Sequence, residues 1–321
     1  MLELLITNAR LNRAWDAASC TQSVSWETHR TGSPGTLKFT LVKAGDLNFL
    51  EGDTVRLSED GELQFFGWVF TKSKNRWGEI EVTCYDRIRY LKANASYAFY
   101  DQAAGDILRQ IAGDLQIDVS AVEDTGYRIP AVLEDDQGCL DILESALQQT
   151  LLNTGRIYNL YDDGKGLCLR DAAQMISNVI IGQSSYLTDY TYETDIDQQT
   201  YNSVKLARPN EGTGRTDTFV AQHSGNIAQW GLLQLYQSVD KEANDAQVQA
   251  QALATLEYYN RRLRSLKVSS MGVPGLRAGQ MVLMKIPDLG DISLDQYMLI
   301  ESITHTWEND VHTMEIETKE F

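Results

Sequence analysis

Several things this sequence lacks narrow what it can be. Four cysteines, Cys20, Cys84, Cys139 and Cys168, stand far apart with no C-x-x-C pair. That argues against a thiol-redox centre or a disulfide framework and fits folding in a reducing bacterial cytoplasm. Positive charge is scarce: 28 Lys and Arg face 45 Asp and Glu, for a formal net charge of −17. Nucleic-acid affinity comes largely from Lys and Arg displacing counterions, so specific nucleic-acid binding is not expected. Two local basic strips remain, around Arg87, Arg89 and Lys92 and around Arg261, Arg262, Arg264 and Lys267. No apolar run is long enough to span a membrane, and Met1 to Ile6 carries Glu3 and reads as a first strand rather than a signal peptide. The G-x-S-x-G elbow of nucleophilic hydrolases is absent.

What is present is strand patterning, and it repeats. Within residues 52–86, Val55 and Leu57, then Phe66, Trp68 and Phe70, then Ile80, Val82 and Cys84 alternate with polar neighbours. Glu59-Asp60-Gly61 and the stretch 75–78 supply residues that tolerate positive φ, so three strands joined by hairpins are expected. Residues 279–318 repeat this order of events, opening with the same Gly-x-x-Val and turning at Asn309-Asp310. A further hairpin is expected upstream of each copy, 24–27 with 37–42 and 203–207 with 216–221.

Between the copies the chain changes period. Residues 101–111 read as a helix through Ala104, Ile107, Leu108 and Ile111, with Gly113 as a left-handed stop. A second helix is expected over 139–152, and 156–161 with 167–170 flank the turn Asp162-Asp163-Gly164-Lys165-Gly166. A tyrosine-rich run from Tyr186 leads into the second module, and Val248, Ala252, Leu256, Tyr259 and Leu263 predict one long helix over 239–266, covering that module's own sheet. The fold class expected is a β-rich α+β protein with units at 1–95, 96–185 and 186–321.

Candidate chemistry is sparse. His29 and His223 lie beside turns, while His305 and His312 flank the turn at Asn309-Asp310 and could meet across a hairpin. No third ligand accompanies them at a recognisable spacing, so a metal site is not expected. The acidic pairs Asp135-Asp136 and Asp162-Asp163 and the run Glu193, Asp195, Asp197 suit solvated turns as well as a glycoside hydrolase's acid and base. Gly212-Thr213-Gly214-Arg215 is too short for a phosphate loop and reads as a hairpin tip. The aromatics Phe65, Phe66, Trp68, Phe70 and Trp77 read as core before they read as a ligand platform. No catalytic, cofactor-binding or metal residue is assigned.

With GDTVRL, FFGWV, CYDRIRYLK, YNSVKLA, WGLLQLYQSVD, VPGLRAGQMVLMKIP and YMLIESITHTWENDVHTMEIE in this order, most of the chain resembles the tail-hub (baseplate hub) proteins of contractile phage tails and phage-tail-like particles, the XkdQ/YqbQ type. The resemblance implies two tube-like β-barrel modules per chain and a homotrimeric, pseudo-sixfold ring. Such a ring adapts a hexameric tail tube to a trimeric spike within the baseplate of a virion or phage-tail-like particle, beside other baseplate components. It implies a structural protein rather than an enzyme; the alternative is a cell-wall or polysaccharide hydrolase of a tail tip. An acidic surplus facing the lumen would repel DNA phosphates.

Overall fold

Alternating apolar and polar residues become strands over most of this chain, because an extended backbone turns every second side chain to the same face. The computed structural model describes residues 1–43, 45–210, 214–239, 241, 243–289 and 292–319; Gly212 and Thr213 of the expected hairpin tip lie outside them. The first part holds β1 (Leu2–Asn8), β2 (Arg13–Asp16), β3 (Thr21–His29), β4 (Thr36–Val42), β5 (Thr54–Glu59), β6 (Glu62–Lys74) and β7 (Glu79–Tyr85). The middle holds β8 (Asn94–Ala103), α1 (Ala104–Asp114), β9 (Val119–Val122), β10 (Arg128–Gly138), α2 (Cys139–Thr154), β11 (Tyr158–Asp162) and β12 (Leu167–Asp171). The remainder holds β13 (Ile176–Gly182), β14 (Leu187–Asp195), β15 (Ser203–Asn210), β16 (Arg215–Gln222), α3 (Ser224–Trp230), β17 (Gln234–Ser238), α4 (Asp245–Tyr259), β18 (Leu263–Met271), β19 (Met281–Ile286), β20 (Leu294–Glu308) and β21 (Val311–Lys319).

Thirteen strands join one sheet in the order β14-β18-β21-β20-β3-β4-β7-β6-β5-β1-β2, with β19 branching from β20 and carrying β13. Among the described residues this sheet has open ends at β14 and β2, so the structure is strand-rich as expected but shows no closed barrel.

Inside that sheet lies a repeat. β3-β4-β7-β6-β5 and β14-β18-β21-β20-β19 follow one order with every neighbour antiparallel. The register shifts coincide too: between Thr21 and Ser23 as between Leu187 and Asp189, and between Val69 and Thr71 as between Ile300 and Ser302. Each bulge inserts a residue and re-aims the strand beyond it, so shared bulges give both modules the same bend.

The turn ahead of β5 and β19 repeats as well. Gly52 donates to the Val69 carbonyl and Gly279 to the Ile300 carbonyl, both at 2.8 Å. Their φ angles of 87° and 85° fall where a side chain is strained, which explains the glycine at each position. The side chain following each glycine accepts from the backbone three residues back: Asp53 from the Leu50 N–H at 2.8 Å, Gln280 from the Arg277 N–H at 2.9 Å.

The strands upstream in the second copy are not those expected. β15 and β16 pair with each other in a separate sheet, β16-β15-β17, while β14 and β18 occupy the slots of β3 and β4. The helix expected over 239–266 is confined to Asp245–Tyr259. Asn244 and Gln247 exchange side-chain and backbone hydrogen bonds in a capping box that fixes the helix start. Leu263 and Leu266 continue the helical stripe by spacing, yet both belong to β18, whose pairing with β14 and β21 overrides local preference. α4 covers the β15 sheet, packing Val248, Ala252 and Leu256 on Val204 and Leu206. The expectation that this helix covers the second module's main sheet is therefore not met.

In the middle unit, α1 begins after Ala103, because Asn94–Ala103 pairs with β10. Gly113 lies inside α1, and the left-handed residue that ends the turn is Gln116, with φ 55°. Phe99, Ile107, Ile111, Ile142 and Leu143 form that unit's core.

Candidate assembly surface and the seam between the repeats

The two modules are stitched by their own backbone. Ser302 to Glu308 of β20 pair antiparallel with His29 to Ser23 of β3, making one sheet continuous from repeat to repeat. Trp307 crosses this seam and joins the first module's core with Val24, Trp26 and Phe39. Arg30 and Glu301 close one end, with Nε to Oε1 at 2.9 Å and the Arg30 N–H donating to the Glu301 carbonyl at 2.8 Å. The Ala278 N–H donates to Thr28 Oγ1 at 3.0 Å.

His305 and His312 meet at this seam. His305 is fully buried and stacks on Trp26 with centroids 5.0 Å apart. Its Nε2 lies 2.8 Å from the Leu276 carbonyl, which only accepts, so Nε2 carries the proton. Its Nδ1 is then the acceptor for His312 Nε2–H at 2.9 Å. That leaves His312 Nδ1 bare in the neutral ring, 3.0 Å from Glu59 Oε2, so one proton must sit between imidazole and carboxyl. Burial pushes His305 down to about 3 and His312 down to about 4, and pushes Glu59 up. These groups form a row, not a ring around a point. Among the described residues no cluster of three or more His, Cys, Asp or Glu is placed to hold a metal.

A second polar joint ties three parts of the chain together. Arg87, just after β7, grips Asp162 of β11 at 3.0 Å, and Asp162 also accepts the Arg87 N–H. Asp86 accepts from the N–H groups of Gly35 and Ile88 at 2.9 and 3.0 Å. Burial, then the neighbouring Asp162 charge, pushes the Asp86 carboxyl up, and Arg277 and the two N–H groups pull it back. The Arg277 guanidinium lies over the Tyr161 ring at 4.5 Å, and Asn159 donates to the Ala278 carbonyl at 3.2 Å.

The remaining candidates disperse. His29 pairs with Glu27 at 3.0 Å, and His223 caps α3 by accepting the Asn226 N–H at 3.1 Å. Asp135 accepts from Ser96, Asp136 sits at a bulge with φ 52°, and Asp163 organises its own turn through the N–H groups of Lys165 and Gly166. The Asp135-Asp136 and Asp162-Asp163 pairs therefore have structural partners. Phe65 is in the core, as expected. The Arg87 guanidinium lies over the Phe66 and Trp68 rings at 5.2 and 5.4 Å, and Trp77 stands exposed. The first basic strip is thus partly consumed: Arg87 is buried, and Arg89 lies over Phe70 at 5.5 Å.

Sequence patterning misses two strand edges that are free among the described residues. β14 has β18 on one side only, and beyond Val69 the last residues of β6 have β7 only. The signal available was weak: β14 is Tyr- and Asp-rich, and alternation alone cannot tell a strand awaiting a neighbour from a solvated one.

This fold, repeat, seam and intervening unit together, superposes over nearly its whole length on solved phage tail proteins. A prophage MuSo2 43 kDa tail protein from Shewanella oneidensis superposes with a TM-score of 0.71 at 13% identity, covering 98% of both chains. The family model described as YQBQ-like matches residues 24–319, and the chain belongs to that family. It is 31% identical over 306 residues to the phage-like element PBSX protein XkdQ of Bacillus subtilis (strain 168), covering 93% of this chain and 92% of that one. It is also 31% identical over 308 residues to YqbQ of the same organism, covering 94% and 92%.

Proposed function

We propose that this chain is a structural hub of a phage-type tail baseplate. Three copies close into a ring that offers six similar modules to a hexameric tail tube and threefold symmetry to a spike. The modules are residues 1–95 and 186–321, the latter carrying α4 and the β15 sheet as an insertion, and residues 96–185 form the unit that faces other baseplate components. In the closed ring the modules complete the tube-like barrels that one chain leaves open.

The observation that carries this reading is the match of strand order and of two bulge positions between the modules, within a chain of the YQBQ-like family. Two equivalent modules per chain turn a threefold assembly into a near-sixfold one without a second gene product. Its place is the virion or phage-tail-like particle, and no catalytic step is asked of it. Native mass spectrometry on the full chain, alone and within assembled particles, tests the reading. A mass of three copies per baseplate is expected; one, two or six copies would overturn it. An assay of the purified chain on peptidoglycan checks the hydrolase alternative, and no turnover is expected.

A further inference from the structure

We propose that copies of this chain join edge to edge, the distal half of β6 in one copy pairing antiparallel with β14 of the next, in the register that β20 and β3 use within each chain. This rests on the ring reading above and supplies that ring's joint.

Each chain contains one completed seam and the two halves of another. In the completed seam, the distal half of β20 lies between β21 and β3. The matching half of β6, Thr71 to Lys74, has β7 on one side, since pairing with β5 stops at Trp68. β3 has β4 and β20 as neighbours, while its counterpart β14 has, among the described residues, β18 alone. The coincident bulges fix the correspondence: Thr71 matches Ser302 and Lys74 matches His305, while Tyr192 matches Trp26 and Asp195 matches His29. Ser302 pairs with His29 and His305 with Trp26. Transferred between copies, Thr71 comes opposite Asp195, Lys72 opposite Thr194, Ser73 opposite Glu193 and Lys74 opposite Tyr192.

The surfaces suit this pairing. β14 carries Asp189, Glu193 and Asp195 and no basic residue, while Lys74 and Arg76 stand exposed at the end of β6. Like charges would oppose the approach and these attract. Val24 and Trp26 of β3 are 2% exposed under the seam, whereas Tyr190 in the Val24 slot is 36% exposed. His305 stacks on Trp26 inside the chain, and the Lys74 stem would lie on Tyr192 in the same place. The loop beside this edge leaves room. Lys72 Nζ, two residues before the His305 counterpart Lys74, donates to the Phe49 carbonyl at 2.7 Å, and His305 Nε2 donates to the Leu276 carbonyl at 2.8 Å in the equivalent loop, with which in place β20 still pairs with β3. Because the two edges differ, pairing runs head to tail and ends only by closing a ring, which leaves neither of these two edges open.

The test is a disulfide between Ser73→Cys and Glu193→Cys, both exposed in the single chain. Directly opposed residues place their β-carbons about 5 Å apart, close enough for a bond after slight adjustment, whereas a diagonal pair lies about 7 Å apart or more. Oxidation should yield a covalent closed ring on a non-reducing gel, both for the purified chain at high concentration and for assembled particles. Ser73→Cys with Thr191→Cys should yield at least ten-fold less. Lys74→Glu with Arg76→Glu should weaken association at least ten-fold in sedimentation velocity, and adding Asp189→Lys with Glu193→Lys should restore it. A three-copy mass with no cross-link and no response to charge reversal would overturn the edge pairing while leaving the ring standing. A single-copy stoichiometry in particles would remove the ring and the joint together.

Discussion

The strands β3 and β14 hold the same slot in their repeats and differ in what covers them. β3 lies under β20 and buries Val24 and Trp26; among the described residues β14 has no strand beyond it and leaves most of its residues exposed. The residues follow the surroundings: β3 offers Val and Trp to a core, β14 offers Tyr, Asp and Glu. Tyrosine tolerates both water and a later partner, because its ring is apolar and its hydroxyl can take a polar partner at the rim, as Tyr190 does by donating to the Asp288 carbonyl at 2.9 Å. The same fold position can therefore be built as permanent core or as a surface held in reserve, and side-chain chemistry tells the two apart.

The sharpest way to break this comparison is to truncate each side. Trp307→Ala empties the seam's core and should cost about 3–5 kcal/mol of unfolding free energy by urea denaturation. Tyr190→Ala, which loses the exposed hydrogen bond to the Asp288 carbonyl, should change the single chain by about 1 kcal/mol or less. Equal losses would mean that β14 is already covered in solution.

The paired turns give the next contrast. Gly52→Ala meets open space and carries only the strain of its positive φ, about 1–2 kcal/mol. At Gly279 a new Cβ would fall 1.7 Å from Asn159 Nδ2, breaking the hydrogen bond to Ala278, so about 3 kcal/mol is expected. A reversed order would show that the two turns are not equivalent.

Acid should find the seam before it finds the rest. His305 and His312 titrate well below the ordinary 6.5, so below about 6.5 the unfolded chain binds protons that the folded chain refuses. Stability present above that pH is lost as pH falls toward 4. Glu59 acts the other way, since its raised value stabilises at low pH and fades as pH rises, and it offsets part of the loss. A net loss of about 2 kcal/mol between roughly pH 7 and 4.5 is expected, and His312→Gln should flatten the profile. An unchanged slope in that variant would place the sensitivity elsewhere.

The smallest effect belongs to the ion pair at the seam's end. Arg30→Met should cost about 1 kcal/mol, because both partners are mostly covered and the strand pairing remains. A loss as large as that of Trp307→Ala would make the ion pair, not the apolar contact, the seam's anchor.

Much of the repeat was legible in residues 52–86 and 279–318, because a two-residue period, Asp-Gly and Asn-Asp turns and a glycine at a forced positive φ are local matters. The histidine pair was legible as a cross-hairpin approach, though not as a buried relay with Glu59, which lies more than two hundred residues away in sequence. β14 and β18 were misplaced for a physical reason. β14 has few apolar residues, and Leu263 with Leu266 fits a helix as well as a strand until β21 arrives to pair with it.

The sequence by itself determined the shared part of the modules, the strands and turns of 52–86 and 279–318, and that this set occurs twice. Those follow from steric and hydration preferences acting over a few residues. Only the tertiary structure decided which strands fill equivalent slots, that β20 completes β3, and that an edge of β6 and an edge of β14 are left over. Backbone hydrogen bonds between strands are nearly indifferent to side-chain identity, so which edges meet is settled by geometry across the whole chain and not by any one stretch of it.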